Sequence, residues 1–271
     1  MPVTEIAHAV VVPERLPPDD EQALRDAWQR LERPSFAARA ASLLGSPLEA
    51  GFRRLPATLR GRLERVTERA LDRAYDVAIR TLEPLPTSAA RHRAVTVGLG
   101  AAGGFFGPAG LVVELPITTV VMLRTIADVA RREGEDLRDL DARMACLKVF
   151  ALGSPSPVDD AAETGFFELR AALATQFVNP LVPMGGGGAQ GASMVQLIAK
   201  RFGLVVGQKA AARAVPFIGA ATGASLNALF FEHFLDVARG QFTVRRLERA
   251  HGRLPVAEAY ERIGREKRAA V

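Results

Sequence analysis

Cysteine is nearly absent. Cys146 stands alone among 271 residues, so no internal disulfide can form, and a reducing compartment suits the chain. Aromatic residues are few as well, at 6% with one Trp and two Tyr. No interleaving of basic and aromatic side chains marks a nucleic-acid platform, and nucleic acid is not expected as a partner. The opening residues, MPVTEIAHAVVVPERLPPDD, lack the basic n-region of a signal peptide, and their apolar run is too short for one. The expected location is therefore cytoplasmic. Diagnostic catalytic motifs are missing too. There is no His-Glu-x-x-His, and Gly223-Ala224-Ser225-Leu226-Asn227 lacks the last glycine of a nucleophile elbow. The glycine run Gly185–Gly188 is followed by no Lys-Ser/Thr pair and reads as a flexible loop.

Charge is missing from two long stretches, and the chain is organised around them. Ala94–Val113 (AVTVGLGAAGGFFGPAGLVV) contains no charged residue and six glycines, with Pro108 inside it. Ala214–Phe231 (AVPFIGAATGASLNALFF) repeats the character, including Gly219-x-x-x-Gly223. A regular spanning helix needs about 20 apolar residues, but Pro108 removes an N–H and breaks the helix. Each half is then about 15 Å long, half a bilayer core. Three placements satisfy these facts: a helical hairpin in a protein core, a hairpin inserted into a membrane, and a single span. Small residues four apart allow close helix approach in either environment. Gly98-x-Gly100-x-x-Gly103 imitates a dinucleotide fingerprint. Gly104, Gly107 and Pro108 interrupt the required helix, and neither Glu114 nor Asp128 has the spacing of the acidic partner.

What is abundant is arginine and aliphatic residues. The net charge is +5, pI about 10.0, hydrophobic content 48% and mean hydropathy +0.09. This balance suits an anionic surface, and membrane lipid fits better than nucleic acid. Basic residues flank both stretches on both sides: Arg91 and Arg93 with Arg124, then Lys209 and Arg213 with Arg239. Positive charge favours the cytoplasmic side, so a returning hairpin is expected rather than a crossing, with these side chains at headgroups.

The periodicities predict helices throughout, and the fold class is all-α: a single helical bundle-like domain built around two Gly-rich apolar helical hairpins. A Pro-rich N-terminal arm and a short helix occupy 1–35, the helical domain 36–249, and a basic C-terminal tail 250–271. Asp19 or Asp20 is placed to cap a first helix carrying Ala23, Leu24, Trp28 and Leu31 inward. Leu55–Leu82 is strongly amphipathic, with Leu59, Leu63, Val66, Ala70, Ala74 and Val77 recurring at three- and four-residue steps. Its Glu64, Glu68, Asp72 and Asp76 form one row and Arg65, Arg69 and Arg73 the next, a solvated face laced with weak ion pairs. Further helices are expected from Leu115 to Arg132, Leu140 to Leu152, Ala192 to Val206, and from Pro216 to Gly240. Cys146 lies in an apolar pattern as a packed thiol.

Candidate chemistry rests on Glu114, Asp128, Asn227, His233 and Asp236. Among the four histidines, His233 sits inside a helix beside Glu232 and Asp236, with Asn227 two turns earlier. His233 with Glu114 or Asp128 could act as an acid–base pair or as metal ligands. A polar cluster locking the two hairpins together is the stronger reading. No metal or cofactor is expected.

GAAGGFFGPAGLVVELPITTVVMLRTIADVARREGEDL at Gly100–Leu137 resembles the signature of the EcsC family. Further resemblances follow in order: ACLKVFALG at Ala145–Gly153, ETGFFELRAAL at Glu163–Leu173, and the stretch from Ile198 to Arg249. The resemblance implies a bacterial intracellular protein, in some species encoded beside an ABC transporter. It implies no established reaction and no catalytic residues. The expected function is a non-enzymatic factor at the inner face of the membrane, with an anionic membrane surface, an ABC transporter or another membrane protein as partner. The alternative is a hydrolase-type enzyme with its Glu/Asp/His site between the hairpins.

Overall fold

The computed structural model describes residues 15–45, 55–81, 93–98, 107–154, 166–167, 170–171, 189–214 and 220–269. The helices are α1 (Pro18–Leu31), α2 (Phe36–Leu44), α3 (Ala57–Thr81), α4 (Leu111–Arg132), α5 (Leu140–Leu152), α6 (Ala189–Arg213), α7 (Ala220–His251) and α8 (Arg253–Ala269). Residues 93–98 are also helical, and a 3₁₀ turn, Gly107–Gly110, leads into α4. Among the described residues there is no strand, so the protein is all-α. The tips of both uncharged stretches, 99–106 and 215–219, lie outside the described residues, as does the glycine run Gly185–Gly188.

α4 is the central helix. It starts at Leu111 rather than Leu115, directly continuing the 3₁₀ turn Gly107–Gly110, and Pro116 lies inside it. Its Glu114, Thr118 and Thr125 are buried and Asp128 is half-buried. Thr118 and Thr119 are sealed, and their hydroxyls donate to the Glu114 and Leu115 carbonyls at 3.1 and 2.8 Å. Bonding back to the preceding turn satisfies a threonine that cannot reach water. α3 and α7 pack on α4, while α2, α3 and α5 pack on α6. The expected inward positions of α3 are buried or half-buried. Its acidic and basic rows are exposed, and among the described residues they form no ion pair with one another.

The centre of the core is aromatic. Phe150, Phe202, Phe230 and Phe234 are all buried, with ring centroids 4.9 to 6.0 Å apart. Cys146 is buried on α5, and burial, reinforced by the charge of Glu135, pushes its thiol up to about 12. It is an inert packing residue.

Three further segments differ from those expected. α6 begins at Ala189 and runs on to Arg213. α7 does not stop at Gly240 but continues to His251. Gly240 is a contact point: a Cβ there would sit 2.5 Å from Leu31 Cγ of α1. The segment expected as a basic tail is α8, which buries Val256, Ala259, Tyr260 and Ile263 against α1 and α7. The arginines near the end of α7 are tied down rather than free. Arg245 pairs with Glu135 at 2.8 Å and Asp141 at 3.0 Å, and Arg246 with Glu133 at 2.9 Å and Asp20 at 3.3 Å. Arg249 joins Glu135, and His251 joins Asp20 at 2.7 Å.

Candidate functional site

Lys209 and Arg213 are four residues apart near the end of α6, so they project from one face of that helix. That face meets the first turn of α4, which carries Glu114. Each charge lies at the helix end where the macrodipole favours it: the carboxylate at an N-terminus, the cations at a C-terminus. Lys209 Nζ donates to Glu114 Oε1 at 2.7 Å, and Arg213 Nη2 to Glu114 Oε2 at 2.7 Å. Arg213 Nη2 also donates to Asn227 Oδ1 of α7 at 3.2 Å, and Asn227 Nδ2 donates to the Thr96 carbonyl at 2.7 Å. Lys209 Nζ lies 4.2 Å from the centroid of the Phe230 ring, a cation–π contact.

This chain of contacts joins the two uncharged stretches at their roots. Thr96 lies near the start of the first stretch and Glu114 just after its end, while Arg213 lies just before the second and Asn227 within it. All are buried, with the Lys209 and Arg213 side chains at 0% exposure and Glu114 at 2%.

Burial alone would raise the Glu114 carboxyl, but the charges of Lys209 and Arg213 outweigh it and hold the group below the ordinary carboxylate range. Burial drags Lys209 down to about 8 against the pull of Glu114. One carboxylate thus faces the Lys209 ammonium and the Arg213 guanidinium from opposite oxygens. Arg213 Nε and Nη1 are buried with no hydrogen-bond partner.

Of the five candidate residues, the structure brings Glu114 and Asn227 together through Arg213. The other three have separate partners. Asp128 accepts from Arg131 on its own helix at 2.5 Å. Asp236 accepts from Arg33 at 2.5 Å, with Arg30 at 3.8 Å. His233 Nε2–H donates to the Gly153 carbonyl at 2.6 Å. The proposed acid–base pairing of His233 with Glu114 or Asp128 has no counterpart among these contacts. Among the described residues no three His, Cys, Asp or Glu side chains group as metal ligands.

The expectation that Lys209 and Arg213 lie at lipid headgroups is corrected: both are enclosed by protein and committed to Glu114. Their position flanking an uncharged stretch suggests a surface location, because sequence alone does not show which helix face turns inward. The available signal was the lone acid of another apolar segment, Glu114, which needs cations if buried.

Burial holds the His233 imidazole below its ordinary value, against the bond to Gly153. Unfolding lets it bind a proton more readily, so stability is intact above about pH 6.5 and falls as pH drops from there toward the folded-state value. Urea titrations of wild type and His233→Gln at stepped pH between 7 and 5 should show a steeper loss in wild type.

These features define an all-α protein in which a buried charge lock ties together the roots of two glycine-rich, uncharged segments. The chain belongs to the EcsC protein family, whose model matches residues 22–247. The match thus reaches back into α1 and covers every residue of the lock. No curated protein and no solved structure matches the chain.

Proposed function

We propose that this protein is a non-enzymatic factor that works at the cytoplasmic face of the membrane, using the end of the bundle where the two uncharged stretches are rooted. The observation that carries this reading is the lock itself. Through Glu114, Arg213, Asn227 and Thr96 it gathers the bases of both stretches at one place. Beside Glu114 on α4, Val113 is 73% exposed and Ile117 46% exposed. Apolar side chains one turn apart at that exposure suit an interface with lipid better than water.

α4 with its preceding turn, Pro108–Arg132, is long and apolar enough to cross a membrane, but 56% of the window is buried in the protein. Its buried half carries Glu114, which would lose both cations if the helix left the bundle. Shallow contact that leaves the lock closed is the favoured arrangement. Arg124 on α4 and Arg239 on α7 remain half-buried cations suited to anionic headgroups. An ABC transporter or another membrane protein is the partner class that accords with the family.

Flotation with liposomes tests this. The protein should rise with vesicles containing anionic lipid at low salt, and Val113→Asp with Ile117→Asp should reduce the floated fraction several-fold. No flotation of wild type at low salt would remove the reading.

A further inference from the structure

Half-buried arginines in this chain usually carry a carboxylate. Arg25, Arg131, Arg170, Arg245 and Arg246 each have one at 2.9 Å or closer. Arg239 of α7 is half-buried as well, yet among the described residues its side chain has no ion pair and no hydrogen bond. It lines a cleft of about 310 Å³ between α1, α4 and α7, within the size range of small-molecule sites, roughly 300–1,000 Å³. α1 runs antiparallel to α7, since Asp20 meets Arg246 while Arg30 approaches Asp236 at 3.8 Å. Arg30, which lines the same cleft, therefore stands at the level of Arg239. Its hold on Asp236 is loose, because Arg33 already takes that carboxylate at 2.5 Å. Arg132 of α4 lines the cleft too, and it has no ion pair among the described residues. The acids of the cleft, by contrast, are engaged. Asp128 accepts from Arg131 at 2.5 Å, Glu133 from Arg246 at 2.9 Å, and Asp26 Oδ1 from Gln22 Nε2 at 2.9 Å. The charge left over in the cleft is positive.

We propose that the cleft between α1, α4 and α7 binds a small hydroxylated phosphomonoester, with Arg30 and Arg239 holding its phosphate. A guanidinium fork matches the oxygens of a phosphate, and a dianion answers two of them. Ala27 and Leu235, both buried, give the cleft an apolar floor for a short carbon skeleton. Asp26 stands one turn before Arg30 on α1 and keeps acceptor positions beyond the one that Gln22 uses. A carboxylate beside the cations suits a ligand that carries hydroxyl donors as well as its anionic group. The proposal goes beyond the membrane reading, which retains Val113, Ile117 and Arg124 whatever Arg239 binds.

The test is calorimetric titration of glycerol phosphate and of a hexose monophosphate into the full chain, with glycerol, the free hexose and inorganic phosphate as controls at matched ionic strength. Wild type should bind at least one monoester saturably and more tightly than inorganic phosphate, and should not bind the unphosphorylated parents. Arg239→Gln should weaken the binding about tenfold or more, the loss expected for a charge-assisted bond. Arg138→Gln makes the same charge change at a side chain 95% exposed and outside the cleft, and should leave affinity unchanged. No saturable heat with either monoester, binding of inorganic phosphate as tight as the monoester, or equal losses in Arg239→Gln and Arg138→Gln would each overturn the proposal. Should Arg239→Gln fail to fold, Arg132→Gln at an exposed position of the same cleft takes its place, and unchanged affinity there overturns it. A wild type that floats with vesicles but binds neither monoester would sink this site and leave the membrane reading standing. Binding without flotation would do the reverse.

Discussion

Glu114→Ala should lower the unfolding free energy by about 3–5 kcal/mol, the cost typical of stranding buried charges. The change removes one carboxylate and leaves Lys209 and Arg213 enclosed at 0% exposure, with only the Asn227 amide and the Phe230 ring as company. Part of the response would be proton loss from Lys209, which burial already holds at about 8. The guanidinium of Arg213 has no such escape. The same carboxyl sets an acid limit. Its folded value lies below 4.5, so its contribution is intact above that pH and is lost as pH falls through the folded value. Equilibrium urea denaturation measures the effect. A triple variant with Met at 114, 209 and 213 should recover most of the loss, because apolar replacement of a buried ion cluster removes the desolvation cost along with the attraction. If the triple variant is as unstable as Glu114→Ala, stranded charge is not the cause.

The second large effect is steric. Gly153→Ala should destabilise by about 1–3 kcal/mol, the range for overpacking a filled core. A Cβ at Gly153 would lie 2.6 Å from Cε1 and 2.9 Å from Cδ1 of Phe234. That ring cannot retreat easily, because Phe150, Phe202 and Phe230 stand 5.6, 5.5 and 5.1 Å away around it. The Gly153 backbone is at φ −77, which any residue adopts, so the cost would come from contact and not from dihedral strain. Displacing Phe234 or residue 153 would also disturb the His233 bond to the Gly153 carbonyl, since His233 and Phe234 are adjacent and their rings sit 5.1 Å apart. Thermal unfolding of the variant reads the effect, and a Tm within error of wild type would mean that the ring has room to move.

The helical periods were legible wherever one face is apolar and the other charged. α3 is the clear case, with the expected inward row buried and the expected outward rows exposed. The period failed at α7, because a helix buried on most sides has no polar face to mark its continuation. Gly240 then looked like a terminator, although it is a point of close approach to α1. The arginines beyond it resembled a solvated tail because their carboxylate partners, Glu133, Glu135 and Asp141, lie about a hundred residues earlier in the chain. Asp20, the partner of His251, lies farther away still. Separation of that order is invisible to any local pattern.

The candidate site divides in the same way. That two uncharged, glycine-spaced segments must be sheltered follows from composition alone, since neither can hold its place in water without burying apolar surface. The family likeness also resides in the order of residues along the chain, and the family match bears it out. The identity of the side chains that join the segments required the packing of α4, α6 and α7 around one point. Whether Lys209 and Arg213 face lipid or Glu114 depends on which helix face turns inward at a contact 95 to 99 residues apart in sequence. Charge pairing is a matter of distance in space. A linear chain records which charges it carries but not which will meet, and only burial turns that meeting into a lock.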